Sequence, residues 1–445
     1  MLINTLLPLL LIFISISILY FYRNERYLIL LPIFWFIVST ILFYGLGPLI
    51  YIIGNQSSID YLNRFYPVNN DDLLIINSFN FTFLLLIYIL YFLINRILDK
   101  FNIDNYKKIY FHENLKASYL IIMSLCFIGI LGKILLSCKN NQFGEFFNVL
   151  FDMYSSVAML SPILFFKLKN KIYKIFLVIL ILILLLLLIL IGSKLKLFEF
   201  ILALALGFYL SNKSLKLFVL AFFILILSFN QINSIFSNVR NSNYLCNLLI
   251  KENNISIIKD NKLVENFKNL DLKSEVIITE NKPNYAWIRF VLVPNQVYVK
   301  NLRDKGIVIN SLNVNYWIFV PRILNKNKPS IHPLSYLNNS LNINYDVLLN
   351  SGYLSEIFWN FGWNGVYTFS LVIAISIMFS NIFFKIIIQN NIYILTPLLF
   401  FILNFYIRQE DWISMNFLYK IPALIYLTIM LLFIYTSIKI LKKHI

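Results

Sequence analysis

IYKIFLVILILILLLLLILIGSKLKLFEF, Ile172 to Phe200, decides the class of this chain. From Ile175 to Ile191 every residue is apolar, and about 20 such residues make a helix as long as the hydrocarbon core of a bilayer is thick. A helix that is apolar on every face faces lipid or a deep core. The poly-leucine run therefore reads as a lipid-facing helix, and GSKLKLFEF marks the break before the next.

Runs of this length recur on both sides. About eleven spans are predicted, at 2–21, 27–53, 73–98, 117–136, 146–166, 172–191, 195–210, 215–235, 354–384, 392–407 and 418–441. The 146–166 run carries Asp152 and Pro162, and the 195–210 run is short. The expected architecture is an all-α polytopic integral membrane protein with one long extracytoplasmic loop before the last three helices. Residues 1–236 form an N-terminal bundle of about eight helices, 237–351 the loop and 352–445 the last three helices.

Composition agrees, with 59% of residues hydrophobic and 13% charged. The formal net charge of +17 is scattered between apolar segments rather than gathered on one soluble face, which argues against nucleic acid and for anionic lipid. Three cysteines lack the spacing of a disulfide framework or zinc site. With neither a basic n-region nor an A-x-A site, the first run reads as an uncleaved span.

Basic residues recur in every second connection. Arg23 and Arg26, then Arg96 and Lys100, then Lys167 to Lys174, then Lys213 and Lys216, Lys385, and finally Lys442 and Lys443 keep one phase. Because cytoplasmic loops are rich in Lys and Arg, the N-terminus is expected outside, the C-terminus in the cytoplasm, and the 237–351 loop on the extracytoplasmic side.

On that outer side stand four arginines: Arg240 after a span, Arg289 beside Trp287, Arg322 in VPR, and Arg408 at a span end. Arginine's planar fork suits bidentate contact with phosphate, and several at one face would make a diphosphate-lipid site. Each can equally anchor a helix end in the headgroups. Lys326 and Lys328 follow Arg322 in a turn stiffened by Pro329, and Lys194 and Lys196 either hold lipid phosphate or anchor their spans.

Glu356 and Asn360, four apart, would share a face of a helix capped by Ser351 or Ser355. A carboxylate at that depth either pairs with a cation or serves as general base toward a sugar hydroxyl. His332, before Pro333, is a second candidate base. Residues 286–299 read as an interfacial helix. The outer loops lack clustered His, Cys or paired carboxylates and any Gly-rich phosphate loop, so no metal, cofactor or ATP-driven step is expected.

Four segments together resemble the oligosaccharide repeat unit polymerases of bacterial surface-polysaccharide synthesis, the Wzy-type O-antigen polymerase family. An (I/V)PR…KP segment corresponds to Val320, Pro321, Arg322, Lys328 and Pro329. An E-x-(Y/F)-x-N-F-G-x-x-G helix start corresponds to Glu356, Phe358, Asn360, Phe361, Gly362 and Gly365. G-S-(R/K) matches Gly192, Ser193 and Lys194, with lysine where many relatives carry arginine, and R-x-(E/D) fits Arg408 and Glu410. The resemblance covers about Ile191 to Asp411, and the N-terminal half matches only in hydropathy.

The resemblance implies metal-independent glycosyl transfer at the periplasmic face of the bacterial inner membrane, without a cofactor. A growing glycan on undecaprenyl diphosphate would pass to a newly flipped lipid-linked repeat unit, with Glu356 or His332 as base. Arg240, Arg289, Arg322, Lys328, Arg408, Lys194 and Asn360 would bind diphosphate and glycan. The partners implied are the lipid-linked donor and acceptor, membrane lipids and a chain-length regulator. Two other readings stand beside it: a ligase-like transferase that hands glycan to another acceptor, and a lipid-linked oligosaccharide flippase or transporter. A transporter should show ionisable groups along a midplane path and repeated halves, whereas this chain has few charges inside its spans and asymmetric halves.

Overall fold

The N-terminal apolar run forms one helix, α1 (Leu2–Phe21), with the limits that hydropathy gives it. A computed structural model describes residues 2–25, 27–54, 68–100, 114–136, 144–190, 194–212, 290–306, 308, 352–409, 413 and 421–441. Every regular element among them is helical. After α1 come α2 (Pro32–Thr40), α3 (Gly47–Ile53), α4 (Asn70–Lys100), α5 (Leu115–Leu136), α6 (Gly144–Phe151) and α7 (Tyr154–Lys167). Then follow α8 (Lys171–Leu190), α9 (Lys194–Asn212), α10 (Val293–Asp304), α11 (Tyr353–Phe361), α12 (Asn364–Gln389), α13 (Thr396–Ile407) and α14 (Ile421–Leu441).

Among the described residues, seven helices, counting α2 and α3 as one and α6 and α7 as one, are long and apolar enough to cross a membrane. Two shorter apolar helices, Tyr393–Ile407 and Leu427–Ser437, accompany them. The expected span at 215–235 lies outside the described residues, as does most of the 237–351 loop.

Three of the expected continuous spans are broken, each for a local reason. In the 27–53 run, Pro48 has no N–H to give the Tyr44 carbonyl, and the chain absorbs the missing bond in a π-helical segment, Ile41–Leu46. The 146–166 run divides at Asp152, whose carboxylate is turned to Lys196 on α9. The 354–384 run divides at Gly362, whose φ of 58° ends α11. Helix starts use asparagine: Asn69 accepts the Asp72 amide at 2.7 Å, Asn114 that of Lys116 at 3.0 Å, and Asn170 that of Ile172 at 2.9 Å.

Side-chain contacts fix helix directions. Asn4 bonds Asn70 and Asn77, and Ser15 meets Tyr88, so α1 and α4 run the same way. Trp363 packs on Phe79 while Asn381 donates to Tyr91, which aligns α12 with them. Ser39 bonds the Ile407 carbonyl, so α13 runs with α2. Tyr119–Ser161 and Cys126–Phe151 make α5 antiparallel to α7, and Tyr154–Glu199 makes α9 parallel to α7.

Both helix groups therefore share two ends. The upper end holds the N-termini of α1, α4, α7, α9 and α12 and the C-termini of α3 and α13. Lys167 bonds Tyr393 at the lower end, where Lys385 also meets Glu25.

Candidate functional site

At the upper end, polar side chains converge where α10 and α11 cover the ends of the long helices. The chain enters α11 through Gly352, at φ 87°, a backbone state that carries no strain only for glycine. A Cβ there would lie 2.9 Å from the Gln409 carbonyl, Leu292 and the Tyr44 hydroxyl, so the entry is closely packed as well as left-handed. Gly352, and not Ser351 or Ser355, stands at the N-cap position. Tyr353 donates its amide to the Gln409 carbonyl at 3.1 Å, and Tyr44 donates its hydroxyl to the same oxygen at 3.2 Å. Gln409 also bonds the Phe36 carbonyl at 2.9 Å, tying together α2, α11 and the end of α13.

Within α11, Glu356 is fully buried and Asn360 donates to the Glu356 carbonyl at 2.9 Å. The two residues stand four apart on one helix, and the bond between them runs to the backbone carbonyl. Phe358 packs edge-on against Phe79 of α4 at 4.8 Å, and Trp359 is buried. These rings set the depth of α11 among the long helices.

The far end of α11 is held by α10. Arg303 donates to the Trp359 carbonyl at 2.5 Å, supplying a charged donor to a helix C-terminus. Its guanidinium lies directly over Gly362, where a Cβ would approach it to 2.9 Å. Lys300 makes ion pairs with Asp72 of α4 at 2.5 Å and with the exposed Asp304 at 2.8 Å. Burial works against the Lys300 ammonium, but hydrogen bonds to Asp304 and Asp72, with their charges, raise its pKa above the ordinary lysine value. Gln296 accepts from Asn80 at 3.2 Å. The expected interfacial helix at 286–299 is, in its described part, this polar clamp extending to Asp304.

A second cluster stands on the other side of α13. Lys196 pairs with Asp152 and lies over the ring of Phe151 at 4.4 Å, and the Tyr154 hydroxyl donates to Glu199. Arg408 lies within electrostatic range of Glu199. The short segment Arg408–Gln409 thus faces both clusters: its arginine addresses Glu199 and its glutamine grips the start of α11.

Of the residues singled out from sequence, Glu356, Asn360, Arg408 and Lys196 are placed at this end, and Lys194 is there as the first residue of α9. Arg240, Arg289, Arg322, Lys328 and His332 lie outside the described residues. Lys300, Arg303, Gln409, Asp72, Asp152 and Glu199 were not singled out as site residues. Lys300 and Asp304 carried a local sign, the i,i+4 charge pair, and Glu199 a weaker one in its i,i+3 spacing from Lys196. Among the described residues, no group of three or more His, Cys, Asp or Glu side chains is placed to hold a metal ion. No family model, curated protein or solved structure matches the chain.

Proposed function

We propose that this protein joins undecaprenyl-diphosphate-linked oligosaccharide repeat units into a surface polysaccharide, by metal-independent glycosyl transfer at the outer face of a bacterial cytoplasmic membrane. One observation carries the reading. The segment that resembles the polymerase motif begins in a separate short helix at the upper end, α11, turns at Gly362 and ends at Gly365 in the first turn of α12; α11 docks on Gln409, beside the Arg408 that opens the R-x-(E/D) match.

The motif positions have distinct jobs in α11 and at its exit. Glu356 is buried, Asn360 bonds the Glu356 carbonyl, Gly362 turns the chain beneath Arg303, and Gly365 leaves room for Ile357. In the reaction, a hydroxyl of the acceptor sugar attacks the anomeric carbon of the donor glycan. The bond to the diphosphate oxygen breaks, and the hydroxyl proton passes to Glu356 or His332. The departing diphosphate needs fixed positive charge, which Arg408, Lys194, Arg240, Arg289, Arg322 and Lys328 would supply; Asn360 would contact glycan.

Deletion and complementation in the native host test this. Loss of the gene should leave surface glycan capped with a single repeat unit. Arg322→Ala and Arg408→Ala should each abolish chain extension with the protein still in the membrane. Repeat units trapped inside the cell would sink the reading in favour of a flippase, and glycan polymerised but unattached would favour a ligase-like transferase.

A further inference from the structure

The α7–α9 cluster contains two cations and two carboxylates that the polymerase reading leaves without a role as a set. They differ in how they are held. Glu199 is buried, accepts the hydroxyl of the fully buried Tyr154, and lies in the field of Arg408. It is a fixed counterion. Asp152 sits in the break between α6 and α7, and its side chain is 37% exposed, against 19% for its partner Lys196. Of the pair, the carboxylate is the member open to the surroundings.

Lys196 has a second hold besides Asp152. Its ammonium lies over the Phe151 ring at 4.4 Å and is 5.7 Å from the Tyr154 ring centre, an aromatic floor that attracts a cation. A cation held this way and paired with a half-exposed carboxylate can exchange one anionic partner for another, because an ion pair weakens as its members become more exposed. A phosphate oxygen offers the same kind of charge-assisted acceptor as a carboxylate oxygen.

We propose that Asp152 is an exchangeable counterion for a diphosphate: its carboxylate occupies the place on Lys196 that a phosphate oxygen of the lipid-linked donor takes. This rests on the reading that the upper end receives a diphosphate-linked lipid, and it adds a division of labour. Arg408 and Lys196 form the cationic pair, Glu199 stays in place, and Asp152 yields. Return of Asp152 to Lys196 then helps expel the spent undecaprenyl diphosphate.

The exchange makes an unusual prediction, that removing a charge partner improves binding. The full-length chain in lipid nanodiscs is titrated with undecaprenyl diphosphate and, separately, with inorganic pyrophosphate. Asp152→Asn should bind undecaprenyl diphosphate on the order of tenfold more tightly, Lys196→Ala about tenfold more weakly, and the double variant no better than Lys196→Ala alone. The same order with pyrophosphate assigns the effect to the diphosphate in any form, and an effect with the lipid alone assigns it to the membrane-borne ligand.

Unchanged or weaker binding by Asp152→Asn overturns the exchange while leaving the polymerase reading intact, provided the wild type binds. A wild type that binds neither probe removes both. Lys196→Ala tests the assignment without altering Asp152, so it remains decisive if Asp152→Asn does not fold: unchanged affinity in that variant overturns the proposal.

Discussion

Gly362 concentrates two requirements on one residue. Its φ of 58° lies in the left-handed region, and the Arg303 guanidinium fills the space where a side chain would begin. Gly362→Ala should therefore cost about 1–3 kcal/mol, from backbone strain and from displacing Arg303 off the Trp359 carbonyl. Arg303→Ala alone should cost about 1–3 kcal/mol by removing that charged donor. The double variant should be less destabilised than the sum, because the clash no longer has a partner. Thermal unfolding of the four proteins in detergent checks this, and strict additivity would show that the two residues do not share one contact. The glycine was legible in the sequence because it sits in a recognisable pattern. Arg303 was not, since nothing in VPNQVYVKNLRD marks which carbonyl its side chain finds.

At the scale of elements, α10 acts as a clamp that joins α4 to α11, and Lys300 is its main fastening. Both side chains of the Lys300–Asp72 pair are about nine-tenths buried, so removing one partner leaves a charge with poor solvation. Lys300→Met or Asp72→Asn should each cost about 3 kcal/mol and raise hydrogen exchange in α10 and in α11 together. Exchange that rose in α10 alone would mean that α11 does not depend on the clamp. Lys300 has a raised pKa, so its stabilising contribution is complete below the ordinary lysine value of about 10.4 and is lost as pH rises through the raised one. Protection of α10 that Lys300 provides should therefore be flat across neutral and mildly alkaline pH and fall only beyond the ordinary lysine range. Hydropathy located the long helices well, since α1, α5 and α8 begin and end within two residues of their expected limits. It missed the breaks because an average over apolar residues cannot register a single Pro48, Asp152 or Gly362. Two of the breaks also have a partner far away in sequence, Lys196 for Asp152 and Arg303 for Gly362, that no local window contains.

For the whole molecule, the helix directions sort the charges by end. The lower end carries Arg23, Lys167, Lys169, Lys171 and Lys385, with Glu25 paired to Lys385. The upper end mixes signs: Asp72, Asp152, Glu199 and Glu356 stand among Lys196, Lys300, Arg303 and Arg408. Loops rich in lysine and arginine stay on the cytoplasmic side of a bacterial membrane, whereas a mixed face has no such bias. The lower end is thus expected in the cytoplasm and the upper end outside, where a lipid-linked glycan would be met. Direction and charge come from independent observations, contacts between side chains in one case and composition in the other, and they agree in phase along the described helices. Site-directed labelling in whole cells separates the two orientations, in a chain whose three cysteines are changed to serine. Lys305, exposed just beyond α10, and Lys169, exposed between α7 and α8, report on opposite ends. Lys305→Cys should react with a membrane-impermeant maleimide in intact cells, and Lys169→Cys only after the membrane is permeabilised. The reverse pattern would place the Arg408–Gln409 segment and α11 on the cytoplasmic side and exclude them from any reaction on the outer face.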